Sequence, residues 1–337
     1  MQSPCLAALA LNLGKSGSPG NSFSRIEHTS DKTSAVTAKG QQYKSQHYNP
    51  VVYLREFASN KKKELWEFDL TQSTAKQSTP KDCGCEDFYH SVALENGERD
   101  HVTIEKAFGP FESRLPELFK AIRNPTKPLC HEFWRVFFTF TAIQYSRSPK
   151  NVRKAHDFLS EIHQTGFEIL CAHSTDLKKR LTEQGVDPLK AQVEFEMQAS
   201  QGSALLPLLQ TVECVTNVFA NMKWSFLYAP TSSFFVTSDK PVCCWLPADR
   251  RSIFGVALTD PDVEITFPLS RKVCAFGCRE SPYPQPYHSA SGEIVDSFNV
   301  STAMNGWRFV YGPSNDLKIV NAVQEVAKSR NGRLPAG

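Results

Sequence analysis

His131-Glu132-Phe133-Trp134-Arg135-Val136-Phe137-Phe138-Thr139-Phe140 is apolar nearly all round. Read as a helix it leaves no broad polar face, and such a helix belongs in a protein interior. Polar residues return in Ile143-Gln144-Tyr145-Ser146-Arg147, so the pattern predicts a buried helix over 131–147. Ser148-Pro149 supplies a cap and a first-turn proline for the next helix. That helix carries Val152, Ala155, Leu159 and Ile162 at helical spacing.

Toward the C-terminus a further helix is expected over 203–222, and from Trp224 the character changes. Ser225-Phe226-Leu227-Tyr228, Phe234-Phe235-Val236-Thr237, Val263-Glu264-Ile265-Thr266-Phe267 and Val273-Cys274-Ala275-Phe276 read as strands between turn residues. Helices return near 292–308 and 315–328. A helical middle followed by strands predicts an α+β fold. The helices pack on a mostly antiparallel sheet formed largely by the C-terminal half.

Toward the N-terminus, residues 102–122 read as helical but are interrupted by Gly109, Pro110 and Pro116. Glu105 and Glu112 are seven apart and share a face if that helix is continuous. Leu65-Trp66-Glu67-Phe68-Asp69 reads as a strand, and 70–82 as a polar loop. Gln46-His47-Tyr48-Asn49-Pro50-Val51-Val52-Tyr53-Leu54-Arg55-Glu56-Phe57 places a histidine and a proline turn ahead of an aromatic-rich segment. It marks the expected start of folded structure. Residues 1–44, rich in Ser, Thr, Gly and Lys, read as a disordered tail. One domain over 45–329 and a flexible tail over 330–337 complete the expected organisation.

Of the 337 residues, 40% are hydrophobic and 23 are phenylalanine, enough for a large aromatic core. The net charge of +3 is too small to argue by itself for nucleic-acid binding. Lys61-Lys62-Lys63 reads as a solvated turn. The ten cysteines sit largely in apolar runs, where free cysteine behaves as a small hydrophobe. A reducing, cytoplasmic compartment is therefore expected. No run of 18 apolar residues predicts a membrane span, and the apolar start lacks the basic flank of a signal peptide.

His47, beside an X-Pro turn, is either a general base or metal ligand or a residue that hydrogen-bonds the turn. Gln144 and Arg147 are three apart on one helix face. Arg147, with Arg153 nearby, suits a bidentate anion site, or else it neutralises the helix end or pairs with a buried acid. Asp239 ends a strand and is either a catalytic carboxylate or the cap of a Ser-Asp-Lys-Pro turn. Glu86, Glu105 and Glu112 are candidates to complete a carboxylate cluster for Mg²⁺ or Mn²⁺, with Glu86 as metal ligand, although no metal motif is matched. Cys274 and Cys278 have zinc-like spacing but lie in a strand-like run. No phosphate-cradling glycine loop, Gly-x-Ser-x-Gly elbow or His-Glu-x-x-His is present.

Several of these pieces, in order, resemble the domain of unknown function 4238 family. They are His47-Tyr48-Asn49-Pro50 with Tyr53-Leu54 and Phe57, then Glu86-Asp87-Phe88-Tyr89, then Gln144 and Arg147 with Pro149 and Arg153. Phe235-Val236-Thr237-Ser238-Asp239-Lys240-Pro241-Val242, Pro268-Leu269-Ser270 and Phe298-Asn299 with Ala303, Phe309 and Val310 follow. The resemblance covers 46 to about 312. Asn49 stands where the family usually shows an apolar residue, Lys240 where it often shows Asn, and Arg271 replaces a frequent proline. The resemblance implies the extent of the fold and the site candidates, not a reaction.

Two functions are expected from different classes. One is a phosphodiesterase or nuclease-like hydrolase acting on nucleic acid or a phosphorylated small molecule. In it His47, Asp239 and Glu112 are catalytic, and Gln144, Arg147 and Arg153 bind substrate. The other is a non-enzymatic binding or sensor protein, for example in a defence system, with the same residues as a buried structural network.

Overall fold

A computed structural model describes residues 44–59, 64–93, 99–125, 128–185, 187, 201–246, 256–283 and 285–331. The expected tails fall almost wholly outside these residues, as does Lys61-Lys62-Lys63.

The chain opens with strand β1 (Ser45–His47), helix α1 (Val51–Leu54) and a 3-10 turn (Arg55–Phe57). Pro50 caps the turn, its carbonyl accepting from the backbone N–H of Tyr53 and Leu54. Strand β2 (Leu65–Asp69) forms as expected and pairs with β3 (Thr74–Ser78). β3 corrects the expectation of a loop over 70–82. It is exposed along nearly its whole length, so it has no apolar alternation to betray it. The turn is set instead by Asp69, whose Oδ1 accepts from Thr71 N, Thr71 Oγ1 and Gln72 N.

Strand β4 (Cys85–Asp87) pairs with β1, and β5 (Val92–Ala93) with β6 (Arg99–Asp100). Helices α2 (Thr103–Glu112) and α3 (Leu115–Ile122) make up the interrupted helical stretch expected over 102–122. The break falls at Ser113–Arg114, not at Gly109 or Pro110, which lie inside α2. Pro116 sits in the first turn of α3, where its missing N–H would have no partner anyway. Glu105 and Glu112 therefore belong to one unbroken helix.

The helical middle continues with α4 (His131–Ser146), α5 (Pro149–His173), α6 (Thr175–Glu183), α7 (Gln201–Gln210) and α8 (Val212–Ala220). The remaining elements are β7 (Lys223–Tyr228), β8 (Thr237–Ser238), β9 (Cys243–Trp245), β10 (Glu264–Ser270), β11 (Val273–Cys278), β12 (Tyr287–Ser289), α9 (Gly292–Asn305), β13 (Phe309–Gly312) and α10 (Leu317–Asn331).

The α+β expectation holds. One sheet has strand order β12-β7-β11-β10-β9, drawn wholly from the C-terminal half and antiparallel except for β12 against β7. A second sheet, β3-β2-β13-β8, joins the early hairpin to two late strands. The expectation of one sheet missed it, because β8 and β13 are too short to show a period.

α4 packs its aromatic side on β7. The Phe137 ring lies 4.9 Å from Trp224 and 5.6 Å from Phe226. Trp224 covers Gly277 on the neighbouring strand, where a Cβ would come within 2.8 Å of the indole. Tyr53, fully buried, is ringed by Phe57, Phe119, Phe140 and Phe267. Its hydroxyl donates to Pro268 O at 2.7 Å and meets Thr237 Oγ1 at 2.6 Å. The opening helix is thereby fastened to both sheets. Cys83, Cys85, Cys130, Cys214, Cys243, Cys244, Cys274 and Cys278 are free; Cys83, Cys243, Cys274 and Cys278 are buried, whereas Cys130 and Cys214 are exposed. Among the described residues no helix is long and apolar enough to cross a membrane.

Candidate functional site

α4 ends at Ser146 and α5 begins at Pro149, so the chain turns a corner at Arg147. The corner carries Arg147 inward, to 1% exposure. Its Nε donates to Gln144 Oε1 at 2.7 Å and its Nη1 to Glu112 Oε1 at 3.2 Å. The guanidinium carbon lies 4.8 Å from the centre of the Phe108 ring, and the Arg147 carbonyl accepts from Tyr89 OH at 2.7 Å. Gln144 continues the chain of contacts, donating from Nε2 to Asn49 Oδ1 at 2.8 Å. Asn49 Nδ2 donates to Ser238 O at 2.9 Å. Four side chains from α1's approach, α2 and α4 thus link the Ser238 strand to Glu112. All but Glu112 are buried.

Asp239 sits at the end of β8 and is 1% exposed. Its carboxylate accepts from three consecutive backbone N–H groups ahead of and within β13: Trp307 at 2.6 Å, Arg308 at 2.6 Å and Phe309 at 2.9 Å. A carboxylate in such a cradle is held firmly as an anion acceptor. It closes the loop between α9 and β13 onto β8.

A second cluster lies on the other side of Arg147. His90, 1% exposed, pairs through Nδ1 with Glu105 Oε1. Burial, the largest influence, holds the His90 imidazole below the usual histidine range, although the Glu105 bond pulls the other way. Burial pushes Glu105 up, but its bond to His90 and the charges of His90, Arg147 and His47 outweigh it, so the carboxyl titrates low. His90 Nδ1 and Glu105 Oε1 thus share a partly buried hydrogen bond. Among the described residues the buried His90 Nε2 has no hydrogen-bond partner. The Phe108 ring, which also carries the Arg147 guanidinium, stands edge-on to the imidazole at 5.4 Å.

Of the residues expected from sequence, Gln144, Arg147 and Glu112 meet directly. His47 lies at the end of β1, its Nε2 donating to Lys81 O at 3.0 Å, and its charge bears on His90 and Glu105. Glu86 is exposed on β4, opposite Gln46, and its charge bears on Tyr48 and Tyr89. Arg153 points to a different partner, its guanidinium carbon 5.9 Å from the centre of the exposed Trp307 ring. Among the described residues no three His, Cys, Asp or Glu side chains are grouped to hold a metal ion.

Asn49 and His90 were missed as members of this network. Asn49 carried a signal, being polar where the resembling family is apolar. His90 carried only its position, immediately after Glu86-Asp87-Phe88-Tyr89.

Comparison with known proteins adds one finding. The sequence model of a family described as "Protein of unknown function (DUF4238)" matches residues 45–316. The chain belongs to that family. No curated protein and no solved structure matches it.

Proposed function

We propose that this DUF4238 member is a non-enzymatic binding protein, in which Asn49, Gln144, Arg147, Glu112 and Asp239 form a structural frame. The engagement of Arg147 and Asp239 by partners within the protein carries this reading. A substrate-binding arginine needs a guanidinium edge facing a ligand. Arg147 instead faces Gln144, Glu112 and the Phe108 ring from a position 1% exposed. A catalytic carboxylate needs a free oxygen, and both oxygens of Asp239 accept backbone N–H groups. A polar network of this kind fixes how segments meet, because any one member left unpaired is costly.

A second reading is favoured by one observation, the bare Nε2 of His90. A carboxylate-oriented imidazole with a free nitrogen is how a general base is built. On that reading the protein is a phosphodiester hydrolase, with His90 and Glu105 as the proton-transfer pair and His47 and Arg147 beside them.

Turnover separates the two. The full chain is incubated with bis(p-nitrophenyl) phosphate and with single- and double-stranded oligonucleotides, with Mg²⁺ or Mn²⁺. The expected result is no cleavage above buffer. Cleavage that disappears in a folded His90→Gln variant overturns the binding reading in favour of the hydrolase.

A further inference from the structure

The 3-10 turn after α1, the end of α3 and the tip of the β10–β11 hairpin enclose a cavity of about 410 Å³. Arg55, Arg123, Arg271 and Lys272 line it, with Glu56 as the one carboxylate. Four cations against one anion leave three positive charges in a space of small-molecule size.

The wall is rigid. The backbone of Arg271 is fixed on both sides, its N–H donating to Glu56 O at 3.1 Å and its carbonyl accepting from Phe235 N at 2.9 Å. Ser270 Oγ accepts from Lys272 N and Val273 N. Lys272 Nζ donates to the carbonyls of Pro230, Thr231 and Ser233 at 2.7, 3.2 and 2.6 Å. That ammonium is therefore a fixed charge of the frame. Tyr228 OH donates to Ile122 O, tying the sheet to the end of α3.

The cations differ in what they hold. Arg123 pairs with Glu56. Among the described residues the guanidinium groups of Arg55 and Arg271 have no hydrogen bond or ion pair. Glu56, on which the charge of Arg271 also acts, is the one counter-charge in the lining, and the excess of like charge is unfavourable. Burial first, and then the charge of Arg271, depress the proton affinity of Lys272. A bound anion would relieve both. Guanidinium forks match phosphate bidentately, and a preformed wall reduces the ordering cost of binding.

We infer that this cavity is a binding site for the phosphate group of a phosphorylated small molecule, clamped by Arg55 and Arg271. The inference names a ligand class for the binding reading above and rests on it.

The test is isothermal titration of the full chain with inorganic pyrophosphate and, separately, with adenosine monophosphate, at low salt and at 0.15 M NaCl. The expected result is saturable binding of at least one probe, weakened about tenfold or more by Arg271→Ala and by Arg55→Ala, and weakened by salt. Equal binding of both probes assigns recognition to the phosphate alone; tighter binding of the nucleotide adds the base. Arg55 is exposed at the start of the 3-10 turn, so its alanine variant keeps the wild-type melting temperature even if Arg271→Ala does not. The inference is overturned if neither probe binds at millimolar concentration, or if a folded Arg55→Ala variant binds as wild type. Cleavage lost in His90→Gln, with phosphate binding still lost in Arg55→Ala, would defeat the binding-only reading and leave this site standing.

Discussion

Gln144 and Asn49, 95 residues apart in sequence, meet side chain to side chain at 2.8 Å in the buried interior. Asn49 passes the contact to Ser238 O, so one asparagine ties α4 to β8. Gly84 makes room for it. With φ at +65°, Gly84 approaches so closely that a Cβ there would lie 2.9 Å from Asn49 Cβ.

Replacing this asparagine with valine gives the apolar position usual in the family, but leaves the Ser238 carbonyl and the Gln144 amide without their partner. The expected loss is about 2–4 kcal/mol, from two buried polar groups left unpaired. Urea unfolding of Asn49→Val should show a lower midpoint with unchanged slope. A midpoint equal to wild type would show that the relay adds no stability.

Asp239→Asn keeps the shape and removes the charge. An amide presents one acceptor oxygen to three N–H donors and turns its own N–H₂ toward at least one of them. We expect a loss of about 2–4 kcal/mol. Hydrogen exchange locates it: the amides of Trp307, Arg308 and Phe309 should exchange faster relative to those of β10. Unchanged protection there would contradict the capping role.

The pH dependence follows from His90 and Glu105. The folded His90 binds its proton less readily than the unfolded residue, whose ordinary value is 6.5. Its contribution is therefore complete above about pH 6.5 and is lost as pH falls through the lowered folded value. Glu105, also lowered, contributes above its ordinary carboxyl value and loses that contribution as pH falls further, through its own folded value. His90→Gln keeps a donor for Glu105 and removes the titration. Unfolding series from about pH 7 down to pH 5 should slope for wild type and flatten for the variant. Parallel curves would count against a buried neutral His90.

Thiol reactivity should divide the described cysteines. Burial pushes Cys83 and Cys244 up to about 12 and Cys243 to about 11, and it also raises Cys274 well above the ordinary thiol value. Cys130 and Cys214 are exposed. Maleimide labelling of the native protein near pH 7, read by peptide mass mapping, should modify Cys130 and Cys214 first. The buried thiols should react only after unfolding. Early labelling of Cys243 would mean that β9 opens readily.

The sequence makes some of this fold legible and hides the rest, for physical reasons. The burial of α4 is visible because its apolar run leaves only a narrow polar stripe of His131, Glu132, Arg135 and Thr139. The path of β7, β10 and β11 is visible because β-branched and aromatic runs stand between turns. β3 is invisible because its residues face water, and its partners are the backbone of β2 and polar side chains, Lys76 with Glu67 and Gln77 with Glu64. The break between α2 and α3 is misplaced because Pro110, itself exposed, lies within a helix anchored by its buried neighbours Ile104, Phe108 and Phe111. At the site, sequence spacing finds Gln144 with Arg147 and the shared face of Glu105 and Glu112. It cannot choose between ligand and frame for Arg147 or Asp239, since that depends on partners such as Glu112 and Trp307, which arrive from distant segments. The basic cavity shows the same limit: Arg55, Arg123 and Arg271 are dispersed along the chain, and no local pattern joins them.

Arg308 reaches back 239 residues to place Nε 3.0 Å from Asp69 Oδ2, beside the β2–β13 pairing. This long reach bears on synthesis. β2 and β3 leave the ribosome early, yet the inner edge of β2 has no neighbour until Phe309–Gly312 has been made. At about 5–20 residues per second, that wait is roughly 10–50 s. Through that interval Leu65-Trp66-Glu67-Phe68-Asp69 is an open sheet edge, able to pair with another nascent chain. A protein cut short before Phe309 would keep that edge bare for its whole lifetime.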